Sequence, residues 1–516
     1  MKALFLFFLL VPFICVSQKA GILQVADEIS TTDLQYNLAK LAAPEMEGRL
    51  AGSHGDSLAS EYIAGWYKKH QLVAPYNKGT SFYQPVPLKK IVIIKGEVNA
   101  ASENYQQFDD WYIFPGSTHK TVKFDSLPVV FAGFGIESDR YNDLLGIDVE
   151  GKAVIIIQAQ PSDSIAELLS SATRSTISAD YQKNLAVRGA AAVLVVTSDF
   201  DRASRALKSA GALRSYRNPA TAVNSLPRIY VSEKMVNSIL LQNDVSLNSL
   251  RINMRRINRP LSFQTKTRIG INLQIDSVKE QALNVIGVVK GKDTTSEAVI
   301  IAAHHDHLGK RGAQVFPGAS DNASGTAALM EIARLMQKAA STGLRPKRSI
   351  IFASFTGQEA GQLGAYYYSQ HPLNADKDTW VVYNLEMLGA VDSFHAQKNT
   401  ITGVGLTAPL TPDTNYSYFL TRDTLGRGLD RELVVANESL FLKLDDRYQQ
   451  SQASYRWLAG SDLYPFYMKG IPVIQTGSGF PKDYHQLTDT PDKINFPLLI
   501  LQTKLAFLTV WNIANK

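Results

Sequence analysis

Five apolar runs constrain this chain more than any other feature: NVIGVV, AVIIAA, SIIFASF, WVVYNL and IPVIQT, all after about residue 265. Helical stretches such as ASGTAALMEIARLMQK lie between them. Runs apolar at consecutive positions belong to strands buried on both faces. The expected core is therefore α/β, a central, mostly parallel sheet flanked by helices. Ligands of such sheets sit beyond the carboxyl ends of the strands, so the polar residues that close each run carry the functional information.

Those closing residues are a consistent set. AVIIAA runs into His304, His305, Asp306 and His307, and SIIFASF into Gln358 and Glu359. WVVYNL ends at Glu386, and the segment after IPVIQT brings Asp483 and His485. The loop GASDNASG places Asp321 just before a helix. His304, Asp321, Glu359, Glu386 and His485 thus converge on one rim from five segments. Mixed imidazole and carboxylate donors suit zinc above other ions, and five donors with one bridging carboxylate suit a pair.

The rest of the chain reads as a frame for that rim. EISTTDLQYNLAKLAAPEMEGRLAGSHGDSLASEYIAGWYKKHQL has the pattern of two amphipathic helices around a Gly-rich turn. Leu34, Leu38 and Leu41 share one face, and Ala59, Ile63 and Trp66 another. PVPLKKIVII suggests a sheet edge. From LPVVFAGFGI through GKAVIIIQA to GAAAVLVVTS and LPRIYVS, strands punctuated by glycine describe a smaller β-rich module. RINMRRINRP reads as a solvated linker leading out of it, and 390–460 as loops without a recognisable code.

At 516 residues, 45% apolar and 19% charged, the chain is long enough for two or three ordered domains. The opening MKALFLFFLLVPFICVSQ has one Lys, a short apolar run and Ser17 before a cut, which is the pattern of a secretory leader. Its removal would take away Cys15, the sole cysteine, and the charge of Lys2, lowering the net charge from +6 to +5. The mature chain is expected in the periplasm, outside the cell or at its surface, without disulfides and without an integral membrane segment. So small a charge, with little aromatic interleaving in its basic stretch, gives no reason to expect a nucleic-acid partner.

The blocks HHDHLG, GASDNASGTAALMEIAR, FTGQEAGQLGA, NLEMLG and DYHQLTDTPDKI resemble, in order, those of the co-catalytic zinc aminopeptidases. That clan also includes glutamate carboxypeptidases, glutaminyl cyclases and the transferrin receptor ectodomain. The middle segment looks like the protease-associated domain inserted in such proteins, and EGRLAGSHGDSLASEYI resembles their N-terminal helical block. The resemblance implies a leader at 1–17, a peptidase-like domain split between 18–94 and 263–516, and a protease-associated-like insert at 95–262 with its core at about 127–235. Position by position, it implies that His304 and Glu386 ligate one zinc, Glu359 and His485 the other, and Asp321 bridges them. Asp306 takes the place of the acid that orients the His304 ring, and His305 and His307 take flanking rather than ligand roles. The implied partners are peptide or protein N-termini, as substrate or ligand; oligomeric state is not implied.

The sequence departs from the family at three places. Gln358 stands where the general-base Glu is expected, and an amide has no lone pair that takes a proton near neutral pH. GSDLYPF has Leu463 where a His is common, and TGSGFPKDYH lacks another His. Two readings follow: an exported zinc-dependent hydrolase of aminopeptidase type with weakened chemistry, or a zinc-retaining pseudo-peptidase that binds peptides or only keeps the fold. A glutaminyl cyclase, the third option, also wants the missing acid. A substitute base is conceivable in Asp483 or another nearby acid, or in assistance from a substrate carboxylate.

Overall fold

The computed structural model describes residues 20–114, 121–158, 165, 181–209, 214–217, 226–293, 297–395, 414–449 and 451–516; the expected leader lies outside them. The chain divides into two compact units, Met1–Leu88 with Glu280–Lys516, and Lys89–Lys279.

In the first unit the apolar runs form neighbouring strands. Val473–Gly477, Thr379–Glu386, Ala298–His304 and Ser349–Phe355 lie side by side, all parallel. Tyr416–Arg422 runs antiparallel to Val473–Gly477 on one flank, and the end of Phe263–Val289 runs antiparallel to Ser349–Phe355 on the other. The sheet is therefore mixed, with a parallel centre. Every residue of Ala298–His304 is buried, as a strand covered on both faces requires.

The helices supply that cover. Ser324–Ser341 contributes Leu329, Ile332, Leu335 and Met336 to the core. Phe496–Asn515 contributes Leu499, Leu505, Phe507 and Val510. By length and composition alone this last helix would also cross a bilayer, which corrects the expectation that nothing beyond the leader is apolar enough. Two-thirds of it is instead buried within the protein.

The two N-terminal helices, Thr31–Leu41 and His54–Lys69, bury Leu34, Leu38, Leu41, Ala59, Ile63 and Trp66. Ser30 and Ser53 cap them, each accepting a backbone N–H three residues on. Between them Arg49 is fully buried. Its guanidinium donates to the carbonyls of His305 at 2.7 Å, Pro317 at 2.8 Å and Gly318 at 3.0 Å. The N-terminal turn thus clamps the loops that carry the strand-end polar residues. Burial lowers the Arg49 pKa to about 10, against the field of Asp306, Asp489, Asp321 and Glu359.

The second unit has its own core, built on the parallel strands Ala153–Gln158, Ala192–Thr197 and Arg228–Val231. The basic stretch expected as a linker is largely helix, Leu247–Ile257. Leu247, Leu250 and Met254 turn inward while the arginines remain outside, and Ser246 with Ser249 forms a capping box at its start. The segment 390–460 also departs from the loops expected. It contains the strand Tyr416–Arg422, the helix Leu429–Asn437, a short strand Lys443–Asp445 and the helix Ser451–Ala459.

Candidate metal centre

Parallel register brings the strand ends level: His304 lies across from Phe355, and Glu386 from Gly477. Past Phe355 the chain turns through Gln358 and Glu359, and past Gly477 it reaches His485. The irregular turn Ala319–Ala323, ahead of the helix Ser324–Ser341, brings in Asp321.

All five expected donors meet there. His304 Nε2 is 3.2 Å from Glu386 Oε1 and 3.5 Å from Asp321 Oδ1. His485 Nε2 is 3.1 Å from the other Asp321 oxygen, Oδ2, and 3.2 Å from Glu359 Oε2. Asp321 therefore faces one group with each oxygen. His304, Asp321 and Glu386 are buried, and Glu359 and His485 partly so.

Neighbouring groups fix the donors. His304 Nδ1 lies 3.5 Å from Asp306 Oδ1 and 3.2 Å from the Asp306 backbone oxygen. The Asp306 carboxylate also accepts the backbone N–H groups of Gln358 at 3.0 Å and Glu359 at 3.2 Å. One acid thus ties the His304 strand end to the Glu359 loop. Asn384 donates to Glu386 Oε2 at 2.9 Å.

The charges are strongly coupled. Burial opposes a proton on His304, but Glu386, Asp306 and Asp321 hold its pKa well above the ordinary imidazole value. His485 is likewise opposed by burial yet raised to about 10 by Asp321 and Glu359. Burial would raise Asp321, but His304 and His485 hold it well below the usual carboxylate range. Burial pushes Glu386 up. Such a cluster needs positive charge at its centre, and a divalent cation supplies it without protonating the donors.

The donor set fits zinc by spacing and by its unmet hydrogen bonds. An ion held tetrahedrally at about 2.0–2.1 Å sets its donors about 3.3–3.4 Å apart. The separations above bracket that edge. Asp321 Oδ2, Glu359 Oε1 and His485 Nε2 are buried atoms without a hydrogen bond.

The flanking residues divide. His305 turns away, its Nδ1 2.9 Å from the Ser354 hydroxyl and its Nε2 3.2 Å from both the Ser60 hydroxyl and Asp56 Oδ1. His307 turns into the cluster, its Nδ1 2.9 Å from Glu359 Oε1. Gln358 Nε2 donates to the Gly460 carbonyl at 2.7 Å. Asp483 accepts a hydrogen bond from the Thr488 hydroxyl.

Asp462 is the acid that sequence reasoning passed over. It is buried, and neither carboxyl oxygen has a hydrogen-bond partner. Burial drives its pKa well above the usual range; His304 opposes this, while Glu386, Asp306 and Glu359 add to it. It stands in GSDLYPF, a stretch read only for Leu463.

The described residues thus set two groups of candidate metal donors, His304, Asp321 and Glu386, and His307, Asp321 and Glu359, beyond the ends of a parallel-centred sheet. Residues 284–508 match the model of Peptidase family M28. A "Probable zinc metalloprotease" of Leptosphaeria maculans is 28% identical over 208 residues, covering 37% of this chain and 45% of that protein. "Probable glutamate carboxypeptidase VP8" of Zea mays is 31% identical over 229 residues, covering 43% of this chain and 28% of that protein. The chain spans about half the length of the fungal relatives it matches. Among solved structures, an aminopeptidase from Aneurinibacillus sp. strain AM-1 superposes with a TM-score of 0.59 at 18% identity, covering 95% of each chain. The zinc aminopeptidase BSAP from Bacillus subtilis gives 0.52 at 17% identity, covering 94% of this chain and 95% of its own. At such identity these two likenesses establish the fold.

Proposed function

We propose that this chain is an exported zinc-dependent peptidase of aminopeptidase type, acting on peptide or protein N-termini through two zinc ions, with turnover weakened by Gln358. The second unit is its protease-associated-like insert. The observation that carries the reading is Asp321, whose Oδ1 faces His304 and whose Oδ2 faces His485. Bound zinc supplies Lewis acidity, which polarises a peptide carbonyl and makes water a better proton donor.

The chain's own residues divide the remaining work. His304, Glu386 and Asp321 would hold one ion; Glu359, His485 and Asp321 would hold the other. Asp306 keeps the His304 ring and the Glu359 loop in register through the contacts described above. At the position that should accept a proton, Gln358 keeps its N–H on Gly460 and offers no base.

That same hydrogen bond favours the second reading, a zinc-retaining pseudo-peptidase that captures peptide ends. A carboxylate at 358 would face the Gly460 carbonyl with no proton to donate, so this loop is fitted to an amide.

Turnover across a panel of aminoacyl substrates, comparing zinc-loaded wild type with Gln358→Glu, tests both readings. The expected result is slow wild-type turnover and a gain of about 10²- to 10⁴-fold in the variant. Wild-type turnover that the variant does not improve would show that another group is the base. Silence from both proteins, with zinc bound, would overturn the enzyme in favour of the binding module.

A further inference from the structure

His305 and His307 are two residues apart and both fully buried, yet their rings are treated in opposite ways. Both nitrogens of His305 have polar partners. Neither nitrogen of His307 makes a hydrogen bond. A buried imidazole left unsatisfied on both sides is costly, so its lone pair is expected to have another use.

The ring is held toward one place. The His307 backbone N–H donates to the Arg49 carbonyl at 3.0 Å. One ring face lies on Gly318, so closely that a Cβ there would come within 2.5 Å of ring Cγ and Cδ2. Arg49 in turn holds the Gly318 carbonyl at 3.0 Å. So fixed, Nδ1 is 2.9 Å from Glu359 Oε1 and 3.7 Å from Asp321 Oδ2. His485 Nε2 approaches the same two carboxylates from another side, at 3.2 and 3.1 Å. His307 meets Glu359 at Oε1 and His485 meets it at Oε2, so the two imidazoles reach this carboxylate through its two oxygens, while both approach Asp321 at Oδ2.

We propose that His307 is a sixth metal donor, through Nδ1, so that the Glu359 site is closed by four protein donors while the His304 site has three. The four are His307, His485, Glu359 and Asp321; the three are His304, Glu386 and Asp321. Four protein donors are the mark of a structural zinc site, and three with an open position the mark of a catalytic one. The two sites are therefore unequal: the His307 site retains its ion, and the His304 site is the exchangeable one where substrate chemistry takes place. This rests on the two-zinc reading above and assigns each of its ions a different part.

The test is zinc content and affinity, measured by chelator competition on the full chain and independent of turnover. Wild type should bind two zinc ions of distinct affinity. His304→Ala should lose the weaker and keep the tighter. His307→Ala should weaken the tighter class by more than the 10- to 100-fold or so that loss of a merely orienting neighbour costs. A tighter class weakened by no more than about 100-fold in His307→Ala would overturn the proposal while leaving the two-zinc reading intact. A wild type that binds no zinc would overturn both. Should His307→Ala fail to fold, X-ray absorption on wild type carrying one zinc gives the answer alone. Two imidazoles around that ion are expected, and one imidazole refutes the assignment.

Discussion

The side of the candidate site that gathers possible metal donors and the side where a proton acceptor is expected are built to different standards. On the first, His304, Asp321, Glu386, Glu359 and His485 converge, and Asp306 and Asn384 hold His304, the Glu359 loop and Glu386 in place. On the second, Gln358 is turned to a backbone carbonyl and Asp462 is buried without a partner. The physical reason lies in what each change costs. Replacing Glu by Gln at a half-exposed position removes one negative charge and changes almost no volume. Removing a buried donor leaves like charges facing one another in a poorly screened interior. Catalytic chemistry can therefore be lost without harm to the fold, whereas the donor set cannot be thinned so cheaply.

The largest test of that contrast is Asp321→Ala. On the proposed two-zinc reading Asp321 serves both ions, so two-ion binding should be abolished and any turnover of the Gln358→Glu protein with it. Zinc at a thousandfold excess over its Kd should stabilise wild type by about 4 kcal/mol, an increment that should nearly vanish in the variant. Melting curves with and without zinc read this directly. A variant that still binds two ions would show that Asp321 does not bridge them.

Asp462→Asn examines the other side through pH. Burial raises the Asp462 pKa in the folded protein. Its stabilising contribution is therefore complete below the unfolded value of about 3.9 and is lost as pH rises through the folded one. Asn carries no such proton. In metal-free protein the variant should match wild type near pH 3 and become progressively more stable than it as pH increases. Denaturant midpoints over a pH series measure the gap; parallel profiles would mean that Asp462 is solvated or paired.

Much of this was legible in the sequence, and the exceptions have physical causes. Strands such as Ala298–His304 stand out because both faces are buried, and the polar residue that ends each run has nowhere to be but the rim. Tyr416–Arg422 was hidden because its Ser, Thr and Arg break the apolar run. Leu247–Ile257 was hidden behind its arginines, although Leu247, Leu250 and Met254 already carry helical spacing. The turn of His307 toward Glu359, and of His305 away from it, is set by Ser60, Asp56, Ser354 and Gly318, none of them adjacent in sequence.

That last difference predicts a purely structural mutant beside a metal-binding one. Ser354→Ala removes the hydroxyl 2.9 Å from His305 Nδ1 and leaves a buried ring nitrogen unpaired. The expected loss is about 1–3 kcal/mol of stability, with zinc content unchanged. Loss of zinc in this variant would mean that the two histidines are not functionally separate.

The smallest effect belongs to the second unit, where the site should not feel it. Ser246 accepts the N–H of Ser249 at 3.1 Å, and Ser249 Oγ accepts that of Ser246 at 3.0 Å. Ser246→Ala breaks one half of this cap and should cost about 1 kcal/mol. The loss should appear in the unfolding of Lys89–Lys279, while zinc affinity and turnover stay at wild-type values. A change in zinc affinity from a cap in the other unit would mean that the two units are energetically coupled, and the donor set would then have to be understood as a property of the whole chain.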